Sequence, residues 1–223
     1  LDAGVLGVAP VAQPTTPARI ARQAAHDAIV GASGALNTTA AALTKVCNDL
    51  RWLASGPATG LAEVALPALQ KGSSIMPGKV NPVIPEVVLQ IAAQVIGNHT
   101  TITVAGMQGN FELNVTIPVL ALDLLESIGL LASGCRVLAD RCVAGITADP
   151  DRLRAMAARS PALATALNAA LGYDRVEAIV KHAAATGVSI RDAAVELGAD
   201  PALVDRALDL DRVARGEIGS LDT

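Results

Sequence analysis

The sequence predicts an all-α protein, on three observations. Of its 223 residues 52% are hydrophobic, only Trp52, Phe111 and Tyr173 are aromatic, and long stretches repeat their apolar residues at spacings of three, four and seven. A sandwich or barrel core draws on aromatic and β-branched side chains. A core of Ala, Leu, Val and Ile suits closely packed helices instead. The length is ample for one large core with a smaller domain beside it. The apolar share, 17% charged residues and a mean hydropathy of +0.45 exclude intrinsic disorder. The net charge of −4 and the absence of a basic stripe exclude a nucleic-acid partner.

Residues 1–18 are rich in Gly, Pro, Ala and Thr without periodicity and read as an N-terminal arm of uncertain origin. Thr16 followed by Pro17 is a helix start, with Thr as N-cap and Pro in the first turn. The helix runs to Ala54, with Ile20, Ala24, Ala28, Leu36, Leu43, Val46 and Leu50 on one face. Ser55-Gly56-Pro57 ends it. Residues 55–82, punctuated by glycine and proline, form the longest loop, and a loop of that size inside a helical protein is a functional candidate.

A second helix is expected from Pro85 to about Gly97, a less regular stretch from His99 to Asn114, and a third long helix from Pro118 to Val143. These three helices, apolar on several faces, make residues 19–145 part of a helix bundle that subunits share. The break Gly145-Ile146-Thr147-Ala148-Asp149-Pro150 opens a small C-terminal α-domain, residues 146–223. Its short helices are expected at 150–159, 161–170, 174–186, 189–197 and 200–215, with stops at Gly172, Gly187 and Gly198.

Cys47, Cys135 and Cys142 are odd in number, form no CxxC pair and read as small buried apolar residues. The most apolar stretch, Val119 to Leu138, carries Asp123, Glu126 and Arg136, which are costly at a bilayer centre. No membrane partner is expected, and the chain reads as cytoplasmic. His26 and His182 read as helix-surface residues and His99 as a loop or helix-end residue. Glu112 and Asn114 read as buried structural polars at a helix break.

The chemistry concentrates in Gly72-Ser73-Ser74-Ile75-Met76-Pro77-Gly78-Lys79-Val80-Asn81-Pro82. Two hydroxyls, an ammonium and an amide share a turn set by glycine and proline. Glycine lets backbone amides approach a ligand, and proline lowers the entropy lost on ordering the loop. Lys79 for charge, Asn81 and Ser74 for hydrogen bonds, and free N–H groups suit a small dianion. The spacing is not that of a phosphate-binding Walker loop, because five residues separate the glycines and Val80 follows the lysine. Neither Ser73 nor Ser33 sits in a G-x-S-x-G nucleophile elbow.

This loop resembles the signature of the aspartase/fumarase superfamily. Asn48-Asp49-Leu50-Arg51-Trp52, Ser55-Gly56-Pro57, Gly109-Asn110-Phe111-Glu112-Leu113-Asn114-Val115, Ala166-Leu167-Asn168 and Leu171-Gly172-Tyr173-Asp174 narrow the resemblance to the C-terminal portion of class II fumarases, over roughly residues 19–200. The resemblance implies a lyase of the tricarboxylic acid cycle that hydrates fumarate to L-malate without metal or organic cofactor. It implies a homotetramer whose active sites are shared between subunits. It makes Ser73 the base and Glu86 the partner of a catalytic His from another segment. Ser74, Lys79, Val80 and Asn81 then bind substrate. Two of the family's three signature regions, including the His-bearing one, have no match here, so a complementing N-terminal chain is implied. Asn81-Pro82-Val83-Ile84-Pro85-Glu86-Val87-Val88 is also similar to aspartases, which makes aspartate ammonia-lyase one alternative and a non-catalytic assembly module another.

Overall fold

The computed structural model describes residues 23–217, so the Thr16 cap and the whole N-terminal arm lie outside the described residues. The fold is helical. The β elements among the described residues are two-residue strands, β1 (Val64–Ala65) and β2 (Thr147–Ala148), which pair at the end of the first unit. The chain divides into a unit ending at Thr147 and a unit beginning at Ala148.

The first unit is built on α1 (Asp27–Leu53), α2 (Val83–Gly106) and α3 (Ile117–Arg141). Its core falls into three clusters that fix the topology. Ile102, Ala105 and Leu120 pack with Ile29 and Val30. Ala40, Ala92, Val95 and Leu131 pack with Leu36 and Leu43. Cys47, Val88, Leu138 and Cys142 pack with Leu50 and Ile84. Residue numbers rise along α1 and α3 while they fall along α2, so the helices run up, down and up. Small residues let them approach: a Cβ on Gly134 of α3 would stand 2.9 Å from Ile91 Cδ1, and one on Gly106 of α2 2.7 Å from Val30 Cγ2.

Several expectations need correction in this unit. The helix expected to end near Gly97 continues to Gly106, absorbing much of the stretch read as irregular. Thr100, Thr101 and Thr103 donate their hydroxyls to the carbonyls of Ile96, Gly97 and His99 one turn back, which keeps these β-branched residues inside the helix. His99 therefore lies inside α2, where its Nδ1 is 3.0 Å from the hydroxyl of buried Ser33 on α1. His26 immediately precedes α1 rather than lying on its surface, and its Nε2 is buried without a hydrogen-bond partner.

The turn after α2 is held by Asn114, which is buried as expected. Its amide donates to the carbonyls of Ala105 and Ala24, and its Oδ1 accepts from the Thr116 backbone N–H and hydroxyl. Glu112 is exposed, contrary to the expectation, because it rides a tight turn closed by Asn110 and Leu113. Between α2 and α3, buried Asn98 takes a hydrogen bond from Gln94 and donates to Glu126, Ser127 and the Asp123 carbonyl. Burial and neighbouring Glu126 push the Asp123 carboxyl above its ordinary pKa.

The second unit packs short helices around Leu167, Ile179, Ile190, Ala193 and Val204. They are α4 (Pro150–Ala158), a 3₁₀ turn at Pro161–Leu167, α5 (Asn168–Leu171), α6 (Tyr173–Thr186), α7 (Ile190–Glu196), α8 (Pro201–Ala207) and α9 (Leu210–Ala214). Asp149, Ser189, Asp200 and Asp209 cap helix N-termini with their side chains. The Asp209 cap splits the helix expected over 200–215. Gly187 takes the left-handed conformation that ends α6. His182 on α6 lies 2.6 Å from the Glu196 carboxylate of α7.

The three aromatic residues are largely exposed, with Phe111 at 92%, Tyr173 at 71% and Trp52 at 69%. The packed interior is thus aliphatic, as the composition predicts. Cys47 and Cys142 are buried, but Cys135 is exposed, because it stands on the outer side of α3.

Candidate active-site loop

The chain between α1 and α2 is ordered by its own turns. The Ser55 hydroxyl donates to the Trp52 carbonyl at 2.5 Å and accepts from the Leu61 N–H at 3.1 Å. The backbone N–H of Ala62 meets the Ser55 carbonyl at 2.6 Å. Only glycine fits at position 60, where a Cβ would lie 2.4 Å from the Ser55 carbonyl oxygen.

Loop 72–82 closes on itself by two hydrogen bonds. The Gly72 N–H donates to the Lys79 carbonyl at 3.0 Å. The Asn81 side-chain amide donates to the Gly72 carbonyl at 2.8 Å. Gly78 supplies the reversal with φ of +77°. Inside this ring the Ser73 hydroxyl oxygen accepts two backbone N–H groups, Ile75 at 3.1 Å and Met76 at 3.3 Å. Ser73 is half-buried, whereas Ser74, Lys79 and Val80 are exposed. Ile75 and Met76 are exposed as well, so the methionine does not pack beneath the loop.

Asn81 leads into α2, whose first turn carries Glu86, half-buried. The Glu86 backbone N–H donates to the Pro82 carbonyl, and its carboxylate makes no ion pair among the described residues. The Lys79 ammonium is likewise without an ion pair there, which leaves its charge free to meet an anion. The structure thus brings Ser73, the Lys79 backbone and Asn81 together around one ring of hydrogen bonds at Gly72, while among the described residues no side-chain hydrogen bond links Glu86 to them. A recess lined by Leu66, Pro67, Asn81, Pro82, Arg141 and Cys142 shares only Asn81 and Pro82 with the loop. It lacks both hydroxyls and the lysine, so it is not the anion site. Among the described residues no group of three or more His, Cys, Asp or Glu gathers as metal ligands.

Sequence reasoning treats Gly72 only as a flexible residue of the motif. Its role as the anchor of the ring depends on a contact nine residues apart, for which the sequence gives no periodic signal.

Comparison with known proteins places this geometry in a family. Residues 3–97 match the family described as Lyase, and residues 163–215 match Fumarase C C-terminus. The first match begins ahead of residue 19, where the motif resemblance starts. The class II fumarate hydratase of Mycobacterium tuberculosis is 51% identical over 200 residues, covering 87% of this chain and 42% of that protein. That of Xylella fastidiosa is 54% identical over 160 residues, covering 72% and 34%. Among solved structures, the class II fumarase of Schistosoma mansoni matches with a TM-score of 0.82 at 39% identity, over 87% of this chain and 41% of that one. A fumarate lyase:delta crystallin from Brucella melitensis gives 0.83 at 43% identity, over 95% and 45%. The chain therefore spans about two fifths of the length of the tuberculosis relative. Helical fold, signature loop and shared sequence lead to one conclusion: the chain belongs to the class II fumarate hydratase family.

Proposed function

We propose that the chain contributes the base-bearing loop of a fumarate hydratase, interconverting fumarate and L-malate. The observation that carries this reading is the Ser73 hydroxyl oxygen held by two backbone N–H groups inside the family's signature loop. A free serine hydroxyl is far too weak an acid to be deprotonated near neutrality. Amides aimed at its oxygen, with the cationic Lys79 in the same loop, favour the alkoxide by preorganised electrostatics.

In the dehydration direction Ser73 Oγ takes a proton from malate C3, leaving the electron pair delocalised into the adjacent carboxylate. That pair then forms the C2–C3 double bond as the C2 hydroxyl departs with a proton as water. Hydration is the reverse, with anti addition. Lys79 pairs with a substrate carboxylate, with Ser74 and the Val80 backbone beside it. Asn81 belongs to the same binding segment. Glu86 orients and charges a histidine supplied by another segment, because a neighbouring carboxylate favours imidazolium. That histidine is the acid for the departing hydroxyl. The reaction draws on no metal or organic cofactor, and the reading carries with it a cytoplasmic homotetramer with sites shared between subunits.

The test is malate-to-fumarate conversion, followed by the ultraviolet absorbance of fumarate, with the chain alone and with an N-terminal fragment of a relative added. Activity appearing with the complement and lost by about 10²–10⁴-fold in Ser73→Ala supports the reading. Undiminished turnover in Ser73→Ala overturns it. Fumarate formed from L-aspartate with release of ammonia, and none from malate, identifies aspartate ammonia-lyase. Inactivity in a helical, soluble mixture identifies an assembly module.

A further inference from the structure

We propose that the turn at 109–115 is the docking point for the N-terminal portion of a class II fumarate hydratase, with Phe111 as its anchor. This deepens the proposed function and rests on the complementing N-terminal chain of that reading, not on Ser73 being the base. The Asn110 N–H donates to the Leu113 carbonyl at 2.9 Å and the Leu113 N–H to the Asn110 carbonyl at 3.2 Å, which closes the turn. At its tip Phe111 holds a φ of +54°, a left-handed conformation that suits glycine and strains a bulky side chain. The described residues offer nothing to offset that strain, because Phe111 is almost wholly exposed. Leu113 and Val115 stand exposed close behind it. Strain kept on an uncovered aromatic points to a contact with something outside the described residues.

A second, independent feature of the same corner is incomplete. His26 Nε2 is buried and has no hydrogen-bond partner among the described residues. The corner is also where the chain enters the unit. Ala24, just ahead of His26, is clasped by the turn: its carbonyl accepts the Asn114 amide at 3.4 Å, and a Cβ on Gly109 would stand 2.7 Å from the same oxygen. The occupant follows from that attachment. The match to Fumarase C C-terminus lies at residues 163–215, and the chain spans 42% of the tuberculosis relative, so the bulk of the unmatched length of that relative lies on its N-terminal side. In a whole relative that portion joins the helices at this corner, ahead of α1, and the apolar turn is the first surface it reaches. A second copy of this chain has no such tether.

The experiment uses the full chain co-expressed with the N-terminal portion of the tuberculosis relative. With p-benzoylphenylalanine in place of Phe111, irradiation is expected to crosslink the turn to that portion, read by mass spectrometry of the joined peptides. Phe111→Gly relieves the strained φ, so the thermal midpoint of the chain alone is expected to be no lower. The same variant is expected to weaken the complex by about tenfold or more in Kd, measured by titration calorimetry. His26→Leu is expected to weaken it by about threefold or more, through loss of one hydrogen bond. Tyr173→Ser, which removes an exposed aromatic from the second unit, is expected to leave Kd unchanged. Crosslinks to a second copy of this chain overturn the proposal. So does the absence of any crosslink, or an unchanged Kd in Phe111→Gly. None of these readouts needs turnover, so loss of the base reading is distinguishable: it shows as undiminished turnover in Ser73→Ala whatever the crosslinking result.

Discussion

Cys47 shows how burial alone sets the chemistry of a single residue. It is fully buried in the cluster where Val88 and Leu138 meet, and desolvation, with the neighbouring Cys142 and Cys135, pushes its thiol from 9.0 to about 11. The thiol form is thus favoured in the folded chain. Its stabilising effect is complete below about pH 9 and is lost as pH rises towards 11, because the unfolded chain sheds the proton first. We expect the urea midpoint to fall over that interval, and Cys47→Ala to flatten the fall. At pH 8 a maleimide should label Cys135 in the native chain, and label Cys47 and Cys142 only after denaturation; mass mapping reads this directly. The same distinction explains what the sequence discloses about the candidate site. The residue types of loop 72–82, and their fitness for a dianion, are legible because they are chemical identities. The hold of Asn81 on Gly72 is a matter of distance between two turns, and composition does not encode it. Glu112 and His99 depart from the sequence expectation for a related reason: burial of a polar residue depends on which helix face or turn it lands on.

At the scale of elements, the three long helices and the chain of short ones follow from apolar periodicity and from Asp, Ser, Pro and Gly at their ends. The extension of α2 beyond Gly97 does not, because three threonines within four residues, Thr100, Thr101 and Thr103, with a glycine before them read locally as a break. Tertiary packing of Ile102 and Ala105 against Ile29 and Val30 overrides that local preference. Asp209 is the opposite case: a cap hidden inside an apparently continuous pattern. It accepts the N–H groups of Asp211 and Arg212, and so starts α9 after α8 has ended. Asp209→Ala should destabilise the second unit by about 1 kcal/mol, seen as an earlier urea transition in far-ultraviolet circular dichroism, whereas Asp209→Asn should nearly restore it. Asn114 carries more, since four hydrogen bonds converge on its buried amide. Asn114→Leu leaves the Ala105 carbonyl one donor short and the Thr116 N–H without its acceptor, a loss of about 2–3 kcal/mol by the same measurement.

For the whole molecule the telling feature is how much apolar surface the first unit leaves uncovered. Leu122 and Leu125 on α3 are 65% and 67% exposed, and Val104, Met107, Leu113 and Val115 are exposed around the end of α2. The segment Ile117–Gly145 is long and apolar enough to cross a membrane by length and composition. Its Glu126 and Ser127 side chains and the Asp123 backbone carbonyl are tied into the Asn98 network, however, which suits a protein neighbour better than lipid. Monomers rarely tolerate contiguous exposed patches of this kind. Glycines add a second indication. A Cβ on Gly97 of α2 or Gly129 of α3 would meet nothing within 4 Å, so no contact inside the chain requires glycine at either place. Each lowers helix stability by about 1 kcal/mol relative to alanine. The homotetramer reading gives them a purpose, because a neighbouring helix can pack closest where no side chain projects. Two kinds of substitution separate the alternatives. Gly97→Ala and Gly129→Ala should raise the thermal midpoint of any dissociated chain. Gly97→Leu and Gly129→Leu should leave its helicity unchanged yet lower the assembled mass in multi-angle light scattering from four chains towards one. If the leucine variants keep the mass of the unsubstituted chain, copies do not meet through these faces. The uncovered leucines would then have to be covered by the complementing N-terminal chain, and adding that fragment, rather than raising the protein concentration, would be what suppresses aggregation.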